Sequence, residues 1–236
     1  MSSTQKSIVG IILARGGSKG LPKKNIRRIY DKHLIGYTIE AALKSQYINP
    51  TVVSSDDDRI LKVATRYGAQ TIRRPLEFAK DLSSSESAVS HAITKLQKQG
   101  NKFDFLALLQ PTSPLRSSQD IDTAVELLLA KKADALISVY ESDFNHHKAF
   151  VVNQKGFLDG LVSRDKIFKP RQEKPILYVP NGAIYIIKVS KFLQNQFFLV
   201  DKTIHYLMSR EKSLDIDTID DLKTFRKILK RYDKNR

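Results

Sequence analysis

The stretch that decides the fold is residues 8–25, IVGIILARGGSKGLPKKN. Ile8, Val9, Ile11, Ile12 and Leu13 form an apolar, mostly β-branched run with no polar face, the pattern of a parallel strand covered on both sides. The chemistry then changes abruptly. Arg15, Lys19, Lys23 and Lys24 follow, interleaved with Gly16, Gly17, Ser18 and Gly20. Small residues let a backbone come close to a phosphate chain, and the cations suit a polyanion. The spacing matches neither the P-loop, G-x-x-x-x-G-K-[ST], nor G-x-G-x-x-G, which argues against a P-loop NTPase and an ordinary dinucleotide fold. The plain alternative for this segment alone is a basic surface loop after a strand.

Outward from this strand the chain alternates helices and strands. Leu34, Ile35, Ile39, Ala42 and Leu43 recur at helical spacing and predict a crossover helix over 34–45. A strand over 51–54, a helix over 58–67 stopped by Gly68, and a short strand over 70–72 follow. Residues 73–85 lack apolar periodicity and read as a loop, with Ser84 or Ser85 capping a helix over 86–99. A central strand is expected over 103–109, and Gln110 opens the loop at its carboxyl end, where open α/β sheets bind ligands. Pro111 and Pro114 stiffen that loop, so Gln110 can present its amide at little entropic cost. A helix to Lys131, a strand over 135–140 and another over 181–189 complete the sheet.

Residues 141–179 mix charged and aromatic side chains with two proline-containing segments and read as an arm outside the sheet, leaving 1–140 and 180–236 as one α/β domain. His146 and His147 are adjacent, point apart in an extended chain, and read as surface or dimer-contact residues rather than metal ligands. Asp215 and Asp217 alternate about Ile216, so an extended segment turns both carboxylates to one side, suited to a hard divalent cation shared with triphosphate oxygens. Asp217 or Thr218 also reads as the N-cap of a last helix, whose apolar stripe is Leu222, Phe225, Ile228 and Leu229.

With 236 residues the chain is long enough to bury a large core. No apolar run approaches the roughly 20 residues needed to span a bilayer, and the opening MSSTQK carries little charge, so a cytoplasmic protein without membrane attachment is expected. The absence of cysteine excludes disulfides and thiolate chemistry. Forty Lys and Arg against 25 Asp and Glu give a net charge of +15, which keeps a nucleic-acid-binding protein in view. The basic residues are dispersed, however, and no helix-turn-helix, zinc or RNP pattern accompanies them. An anionic small-molecule substrate profits from the same potential.

LARGGSKGLPKKN resembles the nucleotide-binding signature of the CMP-N-acylneuraminate synthetases, the cytidylyltransferases that activate sialic acid and related nulosonic acids. Further similarity lies at 74–85, at LQPTSPLR (109–116), at PNGAIYI (180–186) and at DIDTIDDL (215–222), in the family's order. The resemblance implies a Rossmann-like, mostly parallel sheet with helices on both faces and a protruding dimerisation arm. It implies CTP and a nulosonic acid as substrates, Mg²⁺ or Mn²⁺ as cofactor, a homodimer, and no nucleic-acid partner; another sugar acid or a sugar phosphate is the alternative acceptor.

Residue by residue, the resemblance assigns Leu13, Ala14, Arg15, Gly16, Ser18, Lys19, Lys24, Asn25, Arg74, Ser83 and Ser85 to the nucleotide. It assigns Gln110, Lys148, Arg171, Asn181, Tyr185, Phe197 and Phe198 to the sugar acid, and Asp215 and Asp217 to the metal. Lys24, Arg15 and Arg171 are the expected catalytic cations. Paired aromatics are usually core, which is the competing reading of Phe197 and Phe198. Some sialate-activating members carry a basic residue immediately before Pro-Asn-Gly, where this chain has Val179.

Overall fold

The structure, a computed structural model, describes residues 6–17, 20–79, 84–143, 148–162 and 176–234. Seven strands form one sheet: β1 (Ile8–Leu13), β4 (Ile48–Ser55), β5 (Gln70–Arg73), β6 (Phe105–Leu108), β7 (Ala135–Glu141), β10 (Tyr178–Lys188) and β11 (Thr203–Leu207). Their order across the sheet is β11-β7-β10-β6-β1-β4-β5. All pairings are parallel except those of β10, which runs antiparallel to both neighbours. Two small hairpins stand apart, β2 (Arg28–Ile29) with β3 (Lys32–His33), and β8 (Phe150–Val152) with β9 (Leu158–Gly160).

Side-chain alternation divides the core between the two faces of the sheet. Ile8 and Ile12 of β1 and Phe105 and Ala107 of β6 meet α1 (Leu34–Leu43), α2 (Asp58–Arg66) and α4 (Ser118–Ala130). Val9, Ile11, Leu106 and Leu108 meet α3 (Ser85–Lys98) and α5 (Val189–Asn195) on the other face. The expected architecture is therefore present, with helices on both faces. A third cluster forms where α6 (Ile219–Lys234) folds back. It joins Leu222, Phe225 and Ile228 to Leu21 of the glycine-rich turn, Leu115 of the 110–116 loop and Ile216.

Local chemistry explains the helix starts. Asp57 caps α2 by accepting from the Arg59 N–H, and Ser84 caps α3 by accepting from the Ser87 N–H. Ser117 and Asp120 form a reciprocal capping box at α4. At α6, the Asp221 N–H donates to the Thr218 hydroxyl (3.2 Å) while the Thr218 N–H donates to the Asp221 carboxylate (2.8 Å), so Thr218 rather than Asp217 is the cap. Asp217 is thereby left for other work.

The structure departs from the sequence reading in element boundaries and in elements the reading missed, β11, α5 and the two small hairpins among them. β10 begins at Tyr178, before the proline that normally ends a strand, because Pro180 sits at a bulge where pairing with β7 shifts register. β4 is longer than expected, and β11 and α5 come from residues whose short or mixed pattern gives no periodic signal. No helix among the described residues is long and apolar enough to cross a membrane.

Phe225 is fully buried in the third cluster, its ring 5.2 Å from that of Tyr37 at 78°. Phe225→Ala is expected to lower stability by about 3 to 5 kcal/mol, the usual cost of deleting a buried phenyl ring. Denaturant unfolding, read as a shift in midpoint at unchanged slope, checks it.

Candidate active site

The carboxyl ends of β1 and β6 open into a cavity of about 630 Å³, within the range of small-molecule sites. Leu13, Arg15, Lys24, Asn25, Arg74, Ser85, Gln110, Asp215 and Asp217, all singled out from the sequence, line it. Residues from five separate segments thus converge on one space.

The glycine-rich turn is shaped by its neighbours as much as by any ligand. A Cβ at Gly16 would stand 2.8 Å from the Asp57 carboxylate, and one at Gly20 would stand 2.9 Å from the backbone oxygen of Asp217; around Gly17 there is open space. Gly16 and Gly20 are therefore required by close approach within the protein, whereas Gly17 is not. The Gly16 N–H donates to Asp56 Oδ1 (3.1 Å), and the same oxygen lies 3.8 Å from Arg74 Nη2. Asp56, unremarked in the sequence, ties the turn to the end of β5. After the turn Lys23 takes a left-handed conformation (φ 55°), a strained choice for a residue with a Cβ, and starts the 3-10 turn Lys24–Ile26 that aims Lys24 and Asn25 at the cavity.

Three cationic side chains and two carboxylates set the electrostatics of the cavity. Arg74 is buried; burial draws its pKa below the ordinary value, with Asp56 opposing and Arg15 reinforcing the shift. Arginine nevertheless stays protonated at neutral pH. Lys24 Nζ donates to Asp217 Oδ1 at 2.6 Å. Asn25 is buried, donates its amide to the carbonyl oxygen of Arg15 (3.0 Å), and leaves its own Oδ1 without a partner, an acceptor held ready at the cavity wall.

The alternation about Ile216 is present as read. Ile216 is fully buried and its N–H donates to the Thr112 carbonyl oxygen (2.9 Å), while Asp215 and Asp217 both face the cavity. Asp215 is accessible from the cavity yet surrounded by protein. Desolvation pushes its carboxyl pKa up; Asp217 and Asp221 add to the rise, and the Thr112 hydroxyl and Lys24 oppose it. Two carboxylates held this close make a place that favours a cation.

The remaining assignments divide. Ala14 is buried, and its N–H continues the sheet to Ser54 O at 3.1 Å. Asn181 is buried with its polar atoms committed: Oδ1 accepts from the Ser138 hydroxyl (2.6 Å) and the Ala183 N–H (3.1 Å), and Nδ2 donates to Ser213 Oγ (2.9 Å). In this structure Asn181 fastens the β10 bulge to β7 and to the turn before Asp215. Gly182, at φ 75°, leaves room for the Gln110 amide, which a Cβ there would strike. Tyr185 packs against Phe198 with ring centroids 5.5 Å apart, and burial together with Asp215 raises its phenol pKa. Phe198 is core, as the plain reading of the pair has it, whereas Phe197 is exposed. Lys148 is exposed and does not line the cavity. Ser18, Lys19, Ser83 and Arg171 lie outside the described residues, as do His146 and His147.

Several lining residues were not picked out as site residues: Gly20, Phe78, Ala79, Ser84, Leu108, Pro111, Thr112 and Thr218. Thr112 had a signal, because it lies two residues beyond Gln110 in a proline-stiffened loop. Phe78 had none. It reaches the cavity from a 3-10 turn, Leu76–Phe78, inside a stretch readable only as loop.

The fold and the sequence are similar to those of known proteins. A structure of a CMP:2-keto-3-deoxy-manno-octonic acid synthetase complexed with CTP superimposes with a TM-score of 0.70, at 20% identity, over 96% of this chain and 99% of that one, a likeness of fold. An N-acylneuraminate cytidylyltransferase of Escherichia coli O18:K1:H7 is 36% identical over 212 residues, 89% of this chain; the chain spans about half (49%) of that protein's length. A CMP-N,N'-diacetyllegionaminic acid synthase of Legionella pneumophila is 35% identical over 220 residues, covering 89% of this chain and 91% of that protein. A family model described as cytidylyltransferase matches residues 9–235, nearly the whole chain, and the chain belongs to that family.

Proposed function

We propose that the cavity binds CTP and that the protein transfers its CMP group to a nulosonic acid. The anomeric hydroxyl oxygen attacks the α-phosphorus, the bond from that phosphorus to the β-phosphate bridge breaks, and pyrophosphate leaves while the hydroxyl proton is lost to solvent. One observation carries this reading: Arg15, Lys24 and Arg74 line one cavity with the carboxylates of Asp215 and Asp217 at the carboxyl ends of β1 and β6. Such a reaction asks for positioning and charge neutralisation rather than covalent help from the protein.

The side chains present fit a divalent cation bound together with the nucleotide. Among the described residues no group of three or more His, Asp or Glu forms a self-sufficient metal site. Two carboxylates on one side, completed by phosphate oxygens and water, match the way Mg²⁺ or Mn²⁺ is held with nucleotides. When bound, the cation would neutralise phosphate charge. Asp215 and Asp217 would hold it, with Arg15 and Lys24 meeting the charge of the departing pyrophosphate. Ser18, Lys19 and Ser83 complete the nucleotide side of the proposal.

On the acceptor side we assign Gln110, Tyr185 and Phe197, with Lys148 and Arg171 from the arm. A guanidinium pairs bidentately with the carboxylate that every nulosonic acid carries. Asn181 and Phe198 serve by holding that wall in place. The division into an α/β domain and an arm at 141–179 belongs to the same proposal, as does a homodimer built through the arm. Phe150, Val152, Phe157 and Leu158 of the β8–β9 hairpin are about half exposed or more, an apolar surface that a second copy would cover. A cytoplasmic place of work is proposed on the ground that CTP is drawn from the cytoplasm.

Asp217→Asn is expected to weaken Mg²⁺ activation more than it weakens CTP binding measured without metal. A Mg²⁺ activation curve that overlays the parent's would remove Asp217 from the ligand set.

Overall identity does not choose the acceptor, since the two relatives above differ in the sugar they are named for at nearly equal identity, and we assign the choice to the sugar wall. Val179 is half-buried beside Tyr140 in the β7–β10 pair and presents no polar atom from its side chain. Burying an unpaired hydroxyl against valine would cost roughly 1 to 3 kcal/mol, which favours an acylated, less hydroxylated sugar. Pyrophosphate release with CTP and a panel of nulosonic acids tests the whole reading. We expect a higher kcat/KM for a 5,7-diacylamino nulosonic acid than for N-acetylneuraminic acid. A preference for N-acetylneuraminic acid that Val179→Arg leaves unchanged refutes the role of this position, and no release with any member refutes the function.

A further inference from the structure

We propose that His91, which touches no substrate, is the positioning residue that sets the Phe78 wall of the nucleotide cavity and makes CTP affinity sensitive to acid. The inference rests on the reading of the cavity as a CTP site and extends it to a residue one layer behind the lining.

The 3-10 turn Leu76–Phe78 has no buried residue of its own, and Leu76 is largely exposed. A turn so lightly anchored does not place an aromatic ring by itself. Phe78, the half-buried member of the turn, lines the cavity and lies against His91, with ring centroids 5.4 Å apart and planes inclined by 31°. His91 belongs to α3, two turns beyond the cap Ser84 and on the same helical face, and Ser84 and Ser85 border the cavity too. The helix therefore supplies a fixed platform, and His91 carries its position across to the lightly anchored side of the wall.

A histidine there does what an aliphatic residue would not. His91 Nδ1 is buried without a hydrogen-bond partner, a placement that suits the neutral form of the ring. The charged groups facing it come from three elements: Lys95 on α3, Arg74 after β5, and Glu77 in the 3-10 turn. Burial, then Lys95, then Arg74 lower its pKa, and Glu77 alone opposes them. The ring is thus neutral at neutral pH. A proton gained in acid sets a second cation toward Arg74, itself buried at the cavity wall, and drives the Phe78 turn and Arg74 apart. The neutral ring is the binding-competent form, so affinity falls as pH falls.

Calorimetric titration with CTP over about pH 5.5 to 8, with kcat measured alongside, tests this in the full chain. His91→Ala is expected to raise the Kd for CTP by about three- to tenfold at neutral pH, the worth of one aromatic pair, with kcat at saturating CTP little changed. His91→Phe keeps the ring pair without a titrating group. It should restore the parent's neutral-pH affinity and flatten the acid weakening, with the titration of CTP itself common to both proteins. An alanine variant with the parent's Kd overturns the inference, and so does a phenylalanine variant that keeps the parent's acid limb. A parent that does not bind CTP refutes the proposed function first and this inference with it, whereas a parent that binds CTP confines either failure to His91.

Discussion

The N–H of Ile216, donated to the Thr112 carbonyl oxygen over 2.9 Å, holds together two stretches that are far apart in the chain. Ile216 has no accessible surface, and its neighbours in the third cluster include Leu21 from the glycine-rich turn, Leu115 from the loop after β6, and Phe225 from α6. Three walls of the cavity are therefore set by one small hydrophobic core. The flanking carboxylates have no freedom to choose their side, because the residue between them is committed inward. Burial of this kind offsets the repulsion of the two carboxylates with apolar area removed from water elsewhere, and Lys24 on Asp217 lowers that repulsion further.

The charges of the cavity are held in a balance that a ligand would redistribute. Lys24 rests on Asp217 and Asp56 lies between the Gly16 N–H and Arg74, so Lys24 and Arg74 each have an anionic neighbour supplied by the protein. Asp215 and Asn25 are the uneven members. Asp215 is held above the ordinary carboxylate range, and the Asn25 Oδ1 is buried without a donor. Asn25 Oδ1 and Arg74 Nε, both buried without a partner in this wall, are where a bound molecule would complete the hydrogen bonding. The turn itself is held by bonds already made, the Asn25 amide donating to the Arg15 carbonyl oxygen and the Gly16 N–H donating to Asp56.

Much of this was legible in the sequence, and the reason is periodicity. The buried run of β1, the apolar stripe of α1 and the alternation Asp215-Ile216-Asp217 each announce a geometry that depends on only a few neighbouring residues. The positions that escaped depend on distant partners. Nothing near Gly20 in the sequence says that the Asp217 backbone will stand against it, and nothing near Asn181 says that Ser138 and Ser213 will consume its amide. Asp56 shares the acidic run that reads as a loop after β4, yet only the fold brings Arg74 and Gly16 to it. Family resemblance assigns Asn181 to the substrate, and the hydrogen bonds show that it also fastens the wall, a role no local pattern announces.

The single reversed strand has a geometric consequence. β7 leaves the sheet at Glu141 and β10 re-enters at Tyr178 directly beside it, and the Ser142 N–H donates to the Leu177 carbonyl oxygen across the gap (2.9 Å). Exit and entry are thus neighbours on one edge of a closed ladder, and whatever is inserted between them changes no register in the seven strands. A parallel β10 would have required a crossover whose length is tied to the height of the sheet. Here the length of the intervening segment is not tied to the height of the sheet, so the arm to which we assign the sugar acid could be rebuilt without changing the pairing of the strands.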